Sequence, residues 1–349
     1  SKMFNRNSLK AGLLVAAPVL FFTSALQAQE RTLTSVTALQ TTNVNAKAFI
    51  ETFVKVVNET GKGILQIKYL GGQEIVPPSK AAAAVKRGQF DLLSSPTAYY
   101  IGTVPEGYGL TAANQGPRVL RKNGAWKMLE DIWAAKAGVK LISWGNNMTS
   151  YHMYMAKPLK YTSEGLPDLE GVKMRATGTY RPLFRALGAT TINIKGSEVV
   201  TAVQRGTVDG FGWTDQIVGV SMHTVTKYRI FPNFYQSNTV ETMNMDTYNS
   251  LTQKQKDFLH KTAVEFETAS VLFTEGEREK EDKILKEVGV EDVYLKPAAA
   301  AKYLAIAHGE IWKELDKRSK HSASLKKLLY IEGKANRQVK LERALDEKR

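Results

Sequence analysis

The 349-residue sequence contains no cysteine, which excludes a disulfide framework, thiolate metal ligands and thiol catalysis. It also lacks an HExxH, a GxSxG, a phosphate-binding P-loop and a GxGxxG motif. Its five histidines are scattered without metal-ligand spacing, and none is paired with a nucleophile. These absences argue against an enzyme, which stays the less favoured alternative.

A long hydrophobic run is also missing after residue 28. Residues 1–28 combine three basic side chains, an apolar run at 11–22 and a small, polar end. This layout is typical of a secretory signal peptide, and the run is too short to cross a bilayer as a helix. We predict cleavage after Ala28 and a periplasmic protein; a membrane anchor or a buried helix is the alternative.

Acidic residues are fewer than basic ones, with 34 Asp and Glu against 48 Lys and Arg, so the formal net charge is +14. A basic protein can bind nucleic acid, an anionic surface or an anionic small ligand. The basic residues are spread along the chain and interleaved with acids, as in EGEREKEDKILKE. We therefore expect no nucleic-acid partner.

One short phrase occurs twice: AVKRGQFD at 84–91 returns as AVQRGTVD at 202–209. Each copy is predicted to be a helix that stops on a glycine, Gly88 or Gly206, and turns into a buried strand. Ser79 and Ser197 are the predicted N-caps of the two helices. Both copies lie in a β-α-β-α-β alternation, which predicts an α/β protein with one largely parallel sheet in each of two lobes.

Three later segments are predicted to join the lobes. YHMYM at 151–155 and NTVETMNM at 238–245 read as strands that cross between lobes. Residues 251–288 form one helical stretch of on the order of 50 Å, longer than one small lobe, with a possible kink at Gly276. The predicted organisation is a signal peptide at 1–28, lobe I at 29–150 and 240–280, and lobe II at 151–239 and 281–349 with the C-terminal helices.

The second-half segment GVKMRATGTYRPLFRALGATTINIKGSEVVTAVQRGTVDGFGW resembles the core of the solute-binding receptors of tripartite ATP-independent periplasmic (TRAP) transporters. The shared pattern is the VKMR strand, the Gly-Ala after a short helix, and, within SEVVTAVQRGTVDG, the positions Ser197–Val199, Ala202–Gln204, Gly206 and Val208–Gly210. SLTQKQKDF at 250–258 is similar to the start of that family's long helix. The resemblance covers most of residues 31–315. It implies two α/β lobes, two crossing strands, a helix bracing both lobes, and a cleft that closes on its ligand.

Arg175 is the main candidate for ligand binding. It ends a buried-looking strand, so its side chain lies at the sheet edge where α/β folds bind ligands. A guanidinium offers two parallel hydrogen bonds to a carboxylate. The resemblance implies that the arginine of this motif holds the substrate carboxylate, whereas a surface ion pair is the alternative from the sequence alone.

The resemblance also implies a role for Trp213, which can stack on a planar ligand, and for Glu241 beside a bound cation. The 2-oxoacid receptors of the family place a Gln on the first crossing strand, and 146–155 contains none. We therefore expect no metal and no cofactor, with a cation beside the ligand as the alternative. Sialic acid receptors place a second Arg on that strand, and 141–156 contains none, so we do not expect sialic acid. The remaining candidates, taken from sheet edges and the first crossing segment, are Asp215, Asn147, Tyr151, Ser95, Tyr99 and Gln40.

The predicted function is an extracytoplasmic receptor for a small organic acid, either a 2-oxoacid, a hydroxyacid or an aromatic acid. Its predicted partners are the membrane subunits of a TRAP transporter. An exported binding protein for another transporter or for a sensor is the alternative of similar fold.

Overall fold

A computed structural model describes residues 29–334, 336–339 and 343. The predicted signal peptide at 1–28 lies outside these residues. The strands are β1 (Arg31–Thr37), β2 (Leu65–Gly71), β3 (Leu92–Pro96), β4 (Val139–Ser143), β5 (Ser150–Met155), β6 (Lys160–Tyr161), β7 (Pro167–Asp168), β8 (Lys173–Arg175), β9 (Thr190–Ile192), β10 (Gly210–Thr214), β11 (Tyr228–Gln236), β12 (Thr239–Asn244) and β13 (Glu291–Tyr294).

The helices lie between the strands and after them, and a π-helical turn, Ile50–Val54, joins the first two. Their bounds are α1 (Val44–Phe49), α2 (Lys55–Thr60), α3 (Pro78–Lys86), α4 (Gly107–Thr111), α5 (Pro117–Asn123), α6 (Ala125–Ala137), α7 (Arg181–Ala186), α8 (Val199–Gln204), α9 (Met245–Ser250), α10 (Gln253–Glu287), α11 (Pro297–Asp316) and α12 (Ser322–Leu329). In the part of the chain that the structure describes, no helix combines the length and apolarity needed to cross a membrane.

Two mixed sheets organise the molecule. The first has the order β2-β1-β3-β12-β4, with β1 parallel to β2 and β3. The second has the order β13-β11-β5-β10-β8-β9, with β8 parallel to β9 and β10. The chain passes from the first sheet to the second between β4 and β5, and returns between β11 and β12. The predicted two-lobed α/β fold with two crossing segments is confirmed. The prediction of largely parallel sheets is wrong, because β5 and β12, the strands next to the crossings, pair antiparallel with both of their neighbours.

The repeated phrase is a repeated structure. Gly88 and Gly206 both have positive φ, +80° and +71°, and each ends its helix in the left-handed conformation that glycine adopts at little cost. The predicted serine caps are wrong. The N-cap of α3 is Pro77, with proline also at the first helical position, and Ser197 lies inside a 3₁₀ turn that precedes α8.

The aspartates of the two copies, Asp91 and Asp209, make equivalent hydrogen bonds to the neighbouring strand. In lobe I, the Asp91 N–H donates to the Thr34 carbonyl, and the Thr34 N–H donates to Asp91 Oδ2 at 2.8 Å. In lobe II, the Asp209 N–H donates to the Lys173 carbonyl, and the Lys173 N–H donates to Asp209 Oδ2 at 3.0 Å. Each aspartate thus satisfies a backbone donor of the neighbouring strand where the helix enters the sheet.

The long helix α10 braces both lobes, as predicted, and is continuously α-helical through Gly276. In the first lobe, the ring of Phe266 packs 5.3 Å from the ring of Phe53. In the second, Glu281 accepts hydrogen bonds from the N–H groups of Ile217 and Val218 at 2.6 and 2.7 Å. At about 1.5 Å per residue its length is roughly 52 Å, enough to reach from one sheet to the other.

The C-terminal helices pack on elements of both halves. Helix α11 contacts β11, α7 and α4, and α12 contacts α4, α5 and α6. A large apolar cluster joins these helices to the first sheet and contains the fully buried side chains Trp133, Trp144 and Tyr303. The assignment of individual residues to lobe I or lobe II stays a prediction.

Candidate functional site

A cavity of about 560 Å³ has walls from both halves of the molecule. One wall comes from the segments that follow β1 and β3, and the other from the ends of β8 and β10 and the loops after β8 and β9, so the cavity lies where several strands end. Its lining residues are Leu39, Asn43, Asn45, Pro96, Ala98, Tyr99, Ile101, Tyr108, Thr111, Tyr151, Arg175, Thr177, Gly178, Thr179, Tyr180, Gly196, Trp213, Thr214, Asn238 and Thr239.

Arg175 is fixed at the wall of this cavity by backbone carbonyls. Its Nε donates to the Ile194 carbonyl at 2.9 Å, and its Nη1 donates to the Gly212 carbonyl at 3.1 Å. The side chain is buried, with the residue 4% exposed. Because burial disfavours the charged form, the pKa of Arg175 lies below its ordinary value, although an arginine stays protonated at neutral pH. Its second terminal nitrogen, Nη2, donates to no described residue.

Arg175 has no anionic partner among the described residues. By contrast Arg229, equally buried in the same sheet, makes two ion pairs, with Asp282 at 2.7 Å and with Asp292 at 2.8 Å. Burial acts to lower the pKa of Arg229, but the hydrogen bond to Asp292 and the charge of Asp282 raise it above its ordinary value. A buried charge without an anionic partner is costly, and this guanidinium lies at the wall of the cavity.

Trp213 stands beside this guanidinium. The Arg175 Cζ lies 5.0 Å from the centroid of the Trp213 ring, within the range of a cation–π contact. Gly196 leaves the room for that ring, because a Cβ at this position would lie 2.7 Å from Trp213 Cη2. Trp213 and Gly196 therefore shape the cavity wall next to the cation.

Neutral polar groups cover much of the remaining wall. The hydroxyls of Tyr99, Tyr151 and Tyr180 make no hydrogen bond to described residues, and burial raises the pKa of each, which keeps them neutral. Asn45 uses its Oδ1 to accept from Thr149 at 3.1 Å, while its Nδ2 has no partner in the described chain. These groups can bind a ligand by uncharged hydrogen bonds.

The structure brings four of the nine predicted site residues to the cavity and places five elsewhere. The residues that line it are Arg175, Trp213, Tyr99 and Tyr151.

Asp215 is buried away from the cavity, where its Oδ2 lies 3.1 Å from Arg278 Nε on the long helix. Burial raises the pKa of Asp215 to about 6, against the lowering effect of Arg278. This aspartate is a structural partner of the brace helix.

Glu241 is also a structural residue and does not line the cavity. It is fully buried between β3 and β4, and it accepts hydrogen bonds from the hydroxyls of Ser94 and Ser143 at 2.8 and 2.6 Å. The N–H of Gly145 donates to it at 3.0 Å. Burial raises the pKa of Glu241 to about 8. Both of its oxygens are thus occupied by the crossing segment and its neighbours.

The other three predicted residues also serve the fold. The Asn147 Nδ2 donates to the carbonyls of Trp144 and Glu267, both at 2.9 Å, which fixes the first crossing. The Ser95 hydroxyl donates to the Pro96 carbonyl at 2.9 Å and is buried. Gln40 is exposed in the turn after β1, where only its carbonyl is used.

Several lining residues were absent from the prediction. Thr177, Thr179 and Tyr180 follow β8 directly, so the sheet-edge argument that selected Arg175 applies to them as well. Asn43 is the N-cap of α1, accepting from the Asn45 N–H at 2.9 Å, and a cap between β1 and α1 marks the same sheet edge. Tyr108 reaches the cavity only through packing of α4, for which the sequence carries no local signal.

Metal ligands are not gathered at this cavity. Within residues 29–334, 336–339 and 343, no group of three or more His, Cys, Asp or Glu side chains could hold an ion. Glu241, the predicted neighbour of a cation, has its oxygens engaged by protein donors. The expectation of no metal and no cofactor stays a prediction.

Comparison with known proteins decides the family. The model of the family described as "Bacterial extracellular solute-binding protein, family 7" (DctP) matches residues 35–318. The chain belongs to this family. The match covers most of the chain, so the resemblance found in the sequence is confirmed.

Individual relatives of this family-7 protein are distant. A monocarboxylate 2-oxoacid-binding periplasmic protein of Nostoc sp. is 25% identical over 230 residues, 62% of this chain and 60% of that relative's length. A TRAP solute-binding protein of Desulfovibrio salexigens, solved with orotic acid, has a TM-score of 0.71 and 20% identity, covering 85% of this chain and 97% of that one. A TRAP solute-binding protein of Bordetella bronchiseptica, solved with copurified calcium and picolinate, has a TM-score of 0.72 and 17% identity. The match covers 92% of this chain and 97% of that one. At these identities the structural likeness shows the fold.

Proposed function

We propose that the protein is a periplasmic receptor that binds a small organic acid by its carboxylate and delivers it to the membrane subunits of a TRAP transporter. The single observation that carries the proposal is the buried Arg175 guanidinium, which faces the cavity without an anionic partner in the described chain. A ligand carboxylate would supply the missing charge and accept a charge-assisted hydrogen bond.

The relatives support the chemical class of the ligand. The Nostoc relative is named for monocarboxylic 2-oxoacids, and the two structural neighbours are named with orotic acid and picolinate, each of which carries one carboxylate. Periplasmic action is supported by that relative's name and by the signal-peptide layout of residues 1–28. Transfer to a TRAP transporter is supported by the family to which the chain belongs.

The test is thermal unfolding of the purified protein with oxoacids, hydroxyacids, dicarboxylates and aromatic acids, with and without calcium. An acid at 100 times its dissociation constant stabilises the folded state by about 2.7 kcal/mol. For a chain of this size we expect a midpoint rise of roughly 5 °C. The rise should vanish in Arg175→Lys, which keeps the charge and loses the planar fork.

Two results would contradict the proposal. If no acid stabilises the folded protein, the proposed ligand class is wrong. If an acid stabilises Arg175→Lys as much as the wild type, the role assigned to Arg175 is wrong. Delivery is tested separately by uptake of the identified acid into vesicles carrying the membrane subunits, which should require the loaded receptor.

A further inference from the structure

The charge on the cavity wall is a single positive one. Arg175 is the one cationic side chain among the described lining residues, and no Asp, Glu, Lys or His lines the cavity with it. A second carboxylate on a ligand would be buried there without a cation, and an ammonium group would be buried without a carboxylate. Either group would lose its hydration without a compensating partner. The wall therefore selects a ligand with one negative charge and no positive one.

Five of the residues that line the cavity are aromatic. Tyr151 and Tyr180 pack against each other with ring centroids 5.8 Å apart, and Trp213 lies over the guanidinium. Tyr99 and Tyr108 extend this aromatic wall on the other side. Aromatic rings pair with one another in stacked or edge-to-face contacts that add to the stabilisation from burying their area. A ligand that carries a ring matches these five side chains.

The size of the cavity agrees with a ring-bearing acid. An apolar cavity of roughly 150 Å³ holds one benzene molecule, whereas this cavity measures about 560 Å³. A ring with its substituents fits within that volume, and the aromatic wall favours a ring over a smaller acid. We infer that the ligand class of the Arg175 cavity is a ring-bearing monocarboxylate without a cationic group. This inference rests on the proposed function and narrows it.

Matched ligand pairs test the inference by calorimetric titration of the purified protein. Benzoate and terephthalate differ by one carboxylate, and 3-phenylpropanoate and phenylalanine differ by one ammonium group. We expect the monoanion of at least one pair to bind. Its counterpart, which carries a second carboxylate or an ammonium group, should bind at least about 30-fold more weakly, since an unpaired buried charge is that unfavourable. Pyruvate, lactate and succinate serve as ring-free acids and should bind more weakly than the ring acids.

Variants of one aromatic residue test the ring contact. Tyr151→Leu should weaken binding of the ring acid about three- to tenfold, and Tyr151→Phe, which keeps the ring and loses only the hydroxyl, should weaken it less. Tyr161→Leu, at an exposed tyrosine of β6 outside the cavity, is the matched control and should leave affinity unchanged.

The outcomes separate this inference from the proposed function. If pyruvate, lactate or succinate binds more tightly than every ring acid and loses binding in Arg175→Lys, the ligand class is wrong and the carboxylate receptor stands. If terephthalate or phenylalanine binds as well as its monoanionic partner, the charge argument is wrong. If no acid binds the folded protein, the proposed function fails and this inference with it.

Discussion

Arg175 and Arg229 are equally buried arginines of the second sheet, and replacing each by methionine should affect stability and binding in opposite ways. Arg229→Met removes a guanidinium that holds Asp282 and Asp292. Breaking a fully buried pair costs about 3–5 kcal/mol. The two aspartate side chains are 46% and 34% exposed, so water can solvate them again. We therefore expect a smaller loss, about 2 kcal/mol.

Arg175→Met removes a buried cation that has no carboxylate partner among the described residues. Two hydrogen bonds to backbone carbonyls are lost, each contributing about 1.5–3 kcal/mol for a charged donor. The desolvation penalty of several kcal/mol disappears at the same time. These opposing effects should leave the free energy of unfolding within about 1 kcal/mol of the wild-type value.

Scanning calorimetry of the ligand-free proteins, followed by the same scans with a saturating acid, provides the measurement. Without ligand, Arg229→Met should lower the midpoint by roughly 4 °C and Arg175→Met should shift it by at most about 2 °C. With ligand, Arg229→Met should still be stabilised and Arg175→Met should not. Equal destabilisation of the two ligand-free variants would show that Arg175 is a structural residue and refute the reasoning.

Three further substitutions test other parts of the account. Because the pKa of Glu241 is raised to about 8, its contribution to stability is present at low pH and lost as pH rises from about 5 to about 8. The free energy of unfolding, measured with urea at several pH values in this range, should depend less on pH in Glu241→Gln than in the wild type. An identical pH dependence would contradict this prediction. Asp209→Asn should lower the free energy of unfolding, measured with urea, by about 1 kcal/mol, since the Lys173 N–H loses its charged acceptor. An unchanged free energy of unfolding would count against the structural role of the repeat. Gly196→Ala should displace the Trp213 ring and weaken acid binding about tenfold in calorimetry, and full affinity would show that the ring position is immaterial.

The sequence predicts the order of strands and helices because the signals are local. Gly88 and Gly206 stop their helices by adopting positive φ, which depends on the residue itself. Gly61 also ends its helix, but with a φ of −99°, and a Cβ there would lie 2.4 Å from the Leu65 carbonyl oxygen. Its requirement for glycine comes from a close approach of the next strand, which no local pattern announces.

The site is only partly readable from the sequence for the same reason. Arg175 and Trp213 lie at the cavity because parallel strands end at a common sheet edge, and this rule follows from topology. Asp215, two residues after Trp213, contacts Arg278 instead, because its side chain enters the interface with the long helix α10. That pairing depends on how α10 packs across the lobe. A charged residue near a motif can therefore have its ion-pair partner within the protein, as Asp215 does, and then it is not available to a ligand.

The central claim is that Arg175 holds the carboxylate of the ligand, and a crystal structure of the complex with the tightest-binding acid tests it most directly. The account predicts a carboxylate oxygen at about 2.7–2.9 Å from a terminal nitrogen of the Arg175 guanidinium. It also predicts that no second charged side chain contacts the acid. A carboxylate bound elsewhere in the cavity, with Arg175 contacting only the Ile194 and Gly212 carbonyls, would contradict it.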